Sequence, residues 1–123
     1  MTSPTDDKAI LSHVLDRWKS GVDAHRPERV AALFTEDAVF QGLRPYSVGR
    51  KGVAEYYDSQ PPGLKTAYRV LETRRPADGL VLGYLDAEFS FTDRPALAVK
   101  LAVLLTRAED DWYIAHYQVS RID

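Results

Sequence analysis

The chain contains no cysteine, which excludes disulfides, thiolate nucleophiles and cysteine-based metal sites. No apolar run reaches the roughly 18 to 20 residues that a membrane-spanning helix needs. The first residues, "MTSPTDDKAI", are polar and acidic and lack the apolar core of a signal peptide. We therefore expect a cytoplasmic protein that does not interact with membranes.

The chain also lacks a large excess of positive or negative charge. The chain has 16 Lys and Arg against 18 Asp and Glu, a formal net charge of −2, and no long run of either sign. Because nucleic-acid binding needs a basic face for the phosphates, we expect no nucleic-acid partner.

The histidines offer no metal site. His13, His25 and His116 lie far apart in the sequence and lack the short spacing that zinc ligands on one helix show. We therefore expect neither a metal nor a cofactor.

What the chain does contain is enough apolar material for one core. Its 123 residues, 45% of them hydrophobic, correspond to a single globular domain spanning 1–123. No repeat, low-complexity segment or linker divides it.

The first half has helical periodicity. Apolar residues at spacings of three and four predict a long helix over 3–25, and two shorter helices follow over 26–34 and 51–60. The segment 37–42, "DAVFQG", predicts a short strand between them, and 43–50 a loop.

The second half alternates with period two. Four runs separated by "PADG", "TDRP" and "AEDD" predict strands over 64–75, 79–91, 96–107 and 111–122. Short turns between neighbouring strands indicate antiparallel hairpins. The order of elements therefore predicts an α+β domain, with helices segregated to one face of a four-strand meander.

Register decides which residues of the last strand face the helices. A two-residue turn at Glu109 and Asp110 predicts that Leu105 pairs with Ile114, and hence that Val103 pairs with His116. On this register the inward-facing residues of the strand are Trp112, Ile114, His116 and Gln118.

Three segments resemble the nuclear transport factor 2-like superfamily, also called SnoaL-like or cystatin-like. They are "VDAHRPERVAALFTEDAVFQG", "GRKGVAEYYDS" and "DDWYIAHYQVS", and the similarity extends over nearly the whole chain. Within the superfamily the chain looks most like the SgcJ/EcaC group. Its last strand also resembles the association domain of calmodulin-dependent kinase, in which a second histidine stands where this chain has Gln118.

The resemblance implies a cone-shaped, strongly bent antiparallel sheet with three N-terminal helices on its concave face. It also implies a pocket at the open end of the cone, and dimers that pack sheet against sheet. It does not imply one activity, because the superfamily includes isomerases, dehydratases, cyclases and non-catalytic modules.

We therefore predict a SnoaL-like domain that binds an uncharged or weakly polar small molecule in a mostly apolar pocket, in a secondary-metabolic context. The candidate pocket residues lie on predicted inward stripes. They are Trp18, Phe40, Tyr57, Trp112, His116 and Gln118.

Two alternatives stay open. The first is an isomerase, cyclase or dehydratase that uses His116 as general base on a polyketide-like or steroid-like substrate, since imidazole changes charge near neutral pH. Its weakness is that "WYIAHYQVS" contains no Asp or Glu to orient the imidazole. The second alternative is a non-catalytic assembly domain.

The outer face of the sheet mixes tyrosines and alanines with one opposite-charge pair, Glu88 and Lys100. Such a face is typical of a surface that packs on a copy of itself, so we expect a homodimer. The predicted outer-face residues are Tyr84, Asp86, Glu88, Ala98, Lys100, Ala102, Leu104, Tyr113, Ala115 and Tyr117.

Overall fold

The helices and strands follow the predicted order in the computed structural model, which describes residues 6–122. The helices are α1 (Asp7–Asp23), α2 (Pro27–Ala31) and α3 (Arg50–Asp58). The strands are β1 (Phe34–Gln41), β2 (Ser47–Val48), β3 (Lys65–Ala77), β4 (Leu80–Ser90), β5 (Leu97–Ala108) and β6 (Asp111–Arg121). β2 lies in the segment that the sequence predicted to be a loop. No helix within 6–122 is long and apolar enough to cross a membrane.

The long first helix provides one side of the core. The Asp6 side chain accepts hydrogen bonds from the backbone N–H groups of Lys8 and Ala9, which have no partner inside the helix. Residues at helical spacing form a continuous buried stripe that faces the sheet. They are Ile10, Leu11, Val14, Leu15, Trp18 and Val22.

All strands belong to one sheet, in the order β2-β1-β6-β5-β4-β3. β3 to β6 form the predicted antiparallel meander. The sheet curls without closing, and the α+β class with N-terminal helices is confirmed. One pairing differs from the predicted antiparallel arrangement, because β1 lies parallel to β6. No hairpin joins these two strands, so no local turn constrains their relative direction.

A bulge in β6 makes the predicted register wrong beyond Ile114. Leu105 pairs with Ile114 as expected, but Leu104 pairs with His116, which leaves Ala115 as an extra residue. Because one inserted residue reverses the faces of all that follow, Tyr117 points inward and pairs with Val103. His116 and Gln118 therefore lie on the outer face, opposite to the prediction.

Candidate functional site

Three buried aromatic side chains form a hydrogen-bonded chain inside the curl of the sheet. The Trp18 indole Nε1 donates to the Tyr57 hydroxyl at 3.1 Å, and the Tyr57 hydroxyl donates to that of Tyr117 at 3.2 Å. These residues come from α1, α3 and β6, so the chain of hydrogen bonds connects the helices to the last strand.

Other aromatic rings close the space around this chain. Phe40 stacks on Tyr117 with ring centroids 4.7 Å apart, and it contacts Tyr57 edge-on at 5.7 Å. Phe89 meets Trp18 edge-on at 6.3 Å. The structure thus brings together three predicted pocket residues, Trp18, Phe40 and Tyr57, but as a packed cluster.

The two buried tyrosines are neutral at physiological pH. Burial is the main cause that raises the pKa of both Tyr57 and Tyr117 above the usual value for tyrosine. A neutral phenol can donate or accept a hydrogen bond, but it is a poor base. The cluster can therefore orient a polar group, and it supplies no carboxylate or imidazole for proton abstraction.

A small cavity borders the cluster at Tyr57 and Phe89, and we call it the inner chamber. Its volume is about 20 Å³, which is enough for about one water molecule. The lining residues are aliphatic, aromatic or amide, and none carries a charge. They are Leu43, Tyr56, Tyr57, Gln60, Leu64, Phe89 and Phe91.

The loop after β1 contributes Leu43 to the lining of the chamber. The Leu43 backbone N–H donates to the Tyr56 hydroxyl at 3.3 Å, and the Gln41 side-chain amide donates to two loop carbonyls. Gly42 lies against the Tyr56 ring so closely that an added Cβ would come within 2.6 Å of it. Leu43 and Tyr46 of the same loop are 44% and 64% exposed, although they are large and apolar. The loop therefore contacts α3 mainly through Tyr56, while its own large apolar side chains stay partly exposed.

Thr66, on the inner face of β3, is a polar residue that the sequence analysis missed. Its side chain is buried, and it stands in the same stripe as Leu64 and Val70. Period-two alternation through 64–70 was a usable signal, because it places a hydroxyl in a stripe of otherwise apolar or aromatic residues.

The remaining predicted pocket residues lie elsewhere. His116 Nε2 is 3.0 Å from Gln118 Oε1 on the outer face, and within residues 6–122 no carboxylate forms a hydrogen bond or ion pair with this imidazole. Trp112 stands at the start of β6, where the guanidinium groups of Arg75 and Arg107 lie 5.5 and 5.8 Å from its ring centroid. Neither His116, Gln118 nor Trp112 lines the inner chamber.

The outer face of the sheet carries a largely apolar row that crosses every strand. Strand pairing aligns the members of this row, which we call the outer row. They are Val48, Val39, His116, Leu104, Leu82 and Arg74. Val48 and Leu82 are 59% and 38% exposed, so the outer row is a partly apolar surface that this chain leaves uncovered.

Two details of the predicted outer face are wrong. Tyr117 is 1% exposed and belongs to the core, because of the bulge at Ala115. Lys100 pairs with Asp86 instead of Glu88, since Asp86 is its direct partner across the β4–β5 ladder. Hydrogen bonds from Lys100 and then Arg69 hold the pKa of the Asp86 carboxyl below its usual range.

Residues 6–122 contain no group of three or more His, Cys, Asp or Glu side chains arranged to hold a metal ion.

Comparison with solved structures identifies proteins with a similar fold. A ketosteroid isomerase-like protein from Erwinia carotovora atroseptica has a TM-score of 0.81 and 22% identity, covering 96% of this chain and 98% of that one. A domain of unknown function with a cystatin-like fold from Nostoc punctiforme has a TM-score of 0.84 and 17% identity, and the match covers 100% of this chain and 80% of that one.

A provisionally named scytalone dehydratase from Novosphingobium aromaticivorans has a TM-score of 0.78 and 15% identity, covering 96% of this chain and 87% of that one. At these identities the similarity establishes the fold alone. A family model described as a SnoaL-like domain matches residues 4–74. No curated protein matches the chain.

Proposed function

Because the chain belongs to the SnoaL-like domain family, we propose that it binds a small uncharged molecule in the inner chamber, without catalysing proton transfer. The observation that carries this proposal is the lining of the chamber, which combines aromatic and aliphatic residues with three that carry a hydroxyl or an amide, Tyr56, Tyr57 and Gln60. Apolar walls with a few converging polar groups are typical of small-molecule sites.

The same lining defines the class of ligand. Burying an ion without an opposite charge is costly, and no lining residue is charged, so the ligand is uncharged. The polyketide-like and steroid-like molecules predicted from the sequence include such compounds. A role in secondary metabolism and membership of the SgcJ/EcaC group stay predictions.

A ligand requires the chamber to widen, because about 20 Å³ holds no organic molecule. We infer that the loop after β1 moves when a ligand enters, because it contributes Leu43 to the lining. Its contact between Leu43 and Tyr56 is a long hydrogen bond, and the exposed side chains of Leu43 and Tyr46 lose little packing when it opens.

An enzyme that uses His116 as base has no support in this geometry. The imidazole lies on the outer face and contacts Gln118, while the inner chamber lies on the other side of the sheet. A general base must come within hydrogen-bond reach of the proton that it removes.

The test is a binding titration with acetophenone, a neutral aromatic ketone, and with benzoate, a charged molecule of similar size. Calorimetry should detect acetophenone binding and no benzoate binding. Gln60→Trp should block the mouth and abolish binding, whereas Asp58→Trp, at a nearby exposed position, should not. Absence of acetophenone binding, or equal binding by Gln60→Trp, would contradict the proposal.

The outer row favours a second function, homodimeric assembly through the outer face. Apolar side chains uncovered on a sheet face favour burial against a partner, and a two-fold axis would place the same surface on both copies. The polar and charged residues beside the row, such as Gln118 and Asp86, suit the rim of such an interface.

Sedimentation at micromolar concentration tests this assembly. The wild type should sediment at about twice the 13.9 kDa chain mass. Ala102→Arg, next to the outer row, should give monomer, whereas Ala32→Arg, exposed beyond the end of α2, should leave the dimer unchanged. A wild-type monomer, or a dimer that survives Ala102→Arg, would reject the outer face as the interface.

A further inference from the structure

The Thr66 hydroxyl lacks a hydrogen-bond partner although it is buried. Within residues 6–122, Thr66 Oγ1 is the one buried side-chain nitrogen or oxygen atom without such a partner. The residue as a whole is only 2% exposed. A buried hydroxyl without a partner lowers stability, because it has lost its hydrogen bonds to water and gained none in the fold. Such an atom therefore requires an explanation.

Strand pairing places Thr66 beside the inner chamber. Thr66 stands directly opposite Phe89 in the β3–β4 ladder, so both side chains lie on the inner face of the sheet. Phe89 lines the chamber, and so does Leu64, two residues before Thr66 on the same face. Thr66 does not itself line the closed chamber, but it is the direct neighbour of two residues that do.

The backbone of Thr66 is held firmly from α1. Its N–H donates to Asp23 Oδ1 at 2.8 Å, and its carbonyl accepts from Lys19 Nζ at 2.7 Å. Lys19 and Asp23 also form an ion pair at 2.7 Å. Because these contacts satisfy both main-chain groups, the hydroxyl is the only polar group of Thr66 that remains available, on a residue that is fixed in place.

Among residues 6–122, no group of the fold forms a hydrogen bond with this hydroxyl. Valine has nearly the same shape, favours β-strands equally well and would bury no polar atom. A hydroxyl that lowers stability in a fixed position beside a chamber is the pattern expected of a group kept for binding.

We infer that Thr66 is a ligand-anchoring residue, whose hydroxyl hydrogen-bonds to a carbonyl or hydroxyl oxygen of the bound molecule when the chamber opens. This inference rests on the proposed function. It narrows the ligand class to neutral molecules that carry an oxygen acceptor next to an apolar or aromatic body.

The test compares Thr66→Val and Thr66→Ser with wild type, using two probes of similar size. Acetophenone carries a carbonyl oxygen, and isopropylbenzene carries a methyl group in place of that oxygen. Thr66→Val should weaken acetophenone binding at least tenfold and leave isopropylbenzene binding unchanged. Thr66→Ser should retain most of the affinity for acetophenone. Without ligand, Thr66→Val should have a Tm that is equal to or higher than that of wild type.

The outcomes separate the two proposals. If wild type binds neither probe, the proposed function fails, and the role of Thr66 fails with it. If wild type binds acetophenone and Thr66→Val binds it equally well, the chamber stands as the site and the role of Thr66 is overturned. A lower Tm for Thr66→Val with unchanged acetophenone affinity would assign the hydroxyl to the fold and overturn the inference as well.

Discussion

Replacing Tyr57 with phenylalanine tests whether the hydrogen-bonded aromatic chain stabilises the core. The substitution removes one hydroxyl oxygen and leaves the ring contacts with Phe40 in place. It breaks two hydrogen bonds, one from Trp18 at 3.1 Å and one to Tyr117 at 3.2 Å. The Trp18 N–H is then a buried donor without a partner.

The magnitude follows from the number of bonds lost. A buried group left without its partner costs about 1–3 kcal/mol, so we expect Tyr57→Phe to lower the free energy of unfolding by about 2–4 kcal/mol. Tyr117→Phe breaks only the bond to Tyr57, which still accepts from Trp18. Its cost should be about 1–2 kcal/mol. Tyr46→Phe, at a 64% exposed position, is the matched control and should have little effect.

Urea unfolding followed by circular dichroism measures the free energy of unfolding of all three variants. For a domain of this size, each kcal/mol lost from the free energy of unfolding lowers Tm by about 4 °C. The Tm of Tyr57→Phe should therefore lie about 8–16 °C below that of wild type. Equal destabilisation by Tyr57→Phe and Tyr117→Phe would refute the central position of Tyr57. A loss below about 1 kcal/mol for Tyr57→Phe would show that the chain contributes no net stability.

Two further predictions concern packing and pH. Gly83→Ala should lower the free energy of unfolding by about 1–3 kcal/mol, because the added Cβ would come within 2.5 Å of a Leu11 methyl group. Gly79→Ala is the control and should be neutral in the same assay, because no atom lies within 4 Å of the added Cβ. The pKa values of Tyr57 and Tyr117 are raised in the folded state, so folding favours the neutral tyrosines. Their contribution to the free energy of unfolding is therefore complete below pH ~10, where tyrosine in the unfolded chain begins to ionise, and it declines above that pH. Unfolding free energies measured between pH 9 and 11.5 should fall with pH, and Tyr57→Phe should show a shallower fall; an equal slope in both proteins would contradict this.

The order of elements could be read from the sequence because its signals are local. Helical spacing over the first residues and alternation in the second half depend on neighbouring positions, and they placed α1, α3 and the four long strands correctly. The same alternation gives β5 its stripe of buried apolar residues, which includes Leu101 and Val103. Family resemblance added the curl of the sheet, which no local pattern specifies.

The faces of β6 required the tertiary structure. Both His116 and Tyr117 fit a strand, and one extra residue at Ala115 decides which of them enters the core. With that bulge, β6 pairs with β5 on one side and with β1 on the other. Packing of Tyr117 between Phe40 and the Tyr57 hydroxyl fits this register.

The character of the site was likewise decided by packing. The sequence by itself determined which residues are apolar and that Trp18, Phe40 and Tyr57 lie on inward stripes, because periodicity is a property of the chain. Only the tertiary structure decided that these rings meet and nearly fill the cavity, since their contacts join α1, β1 and α3. It also left the Thr66 hydroxyl without a partner, because a hydrogen bond depends on atoms that neighbouring elements bring within reach.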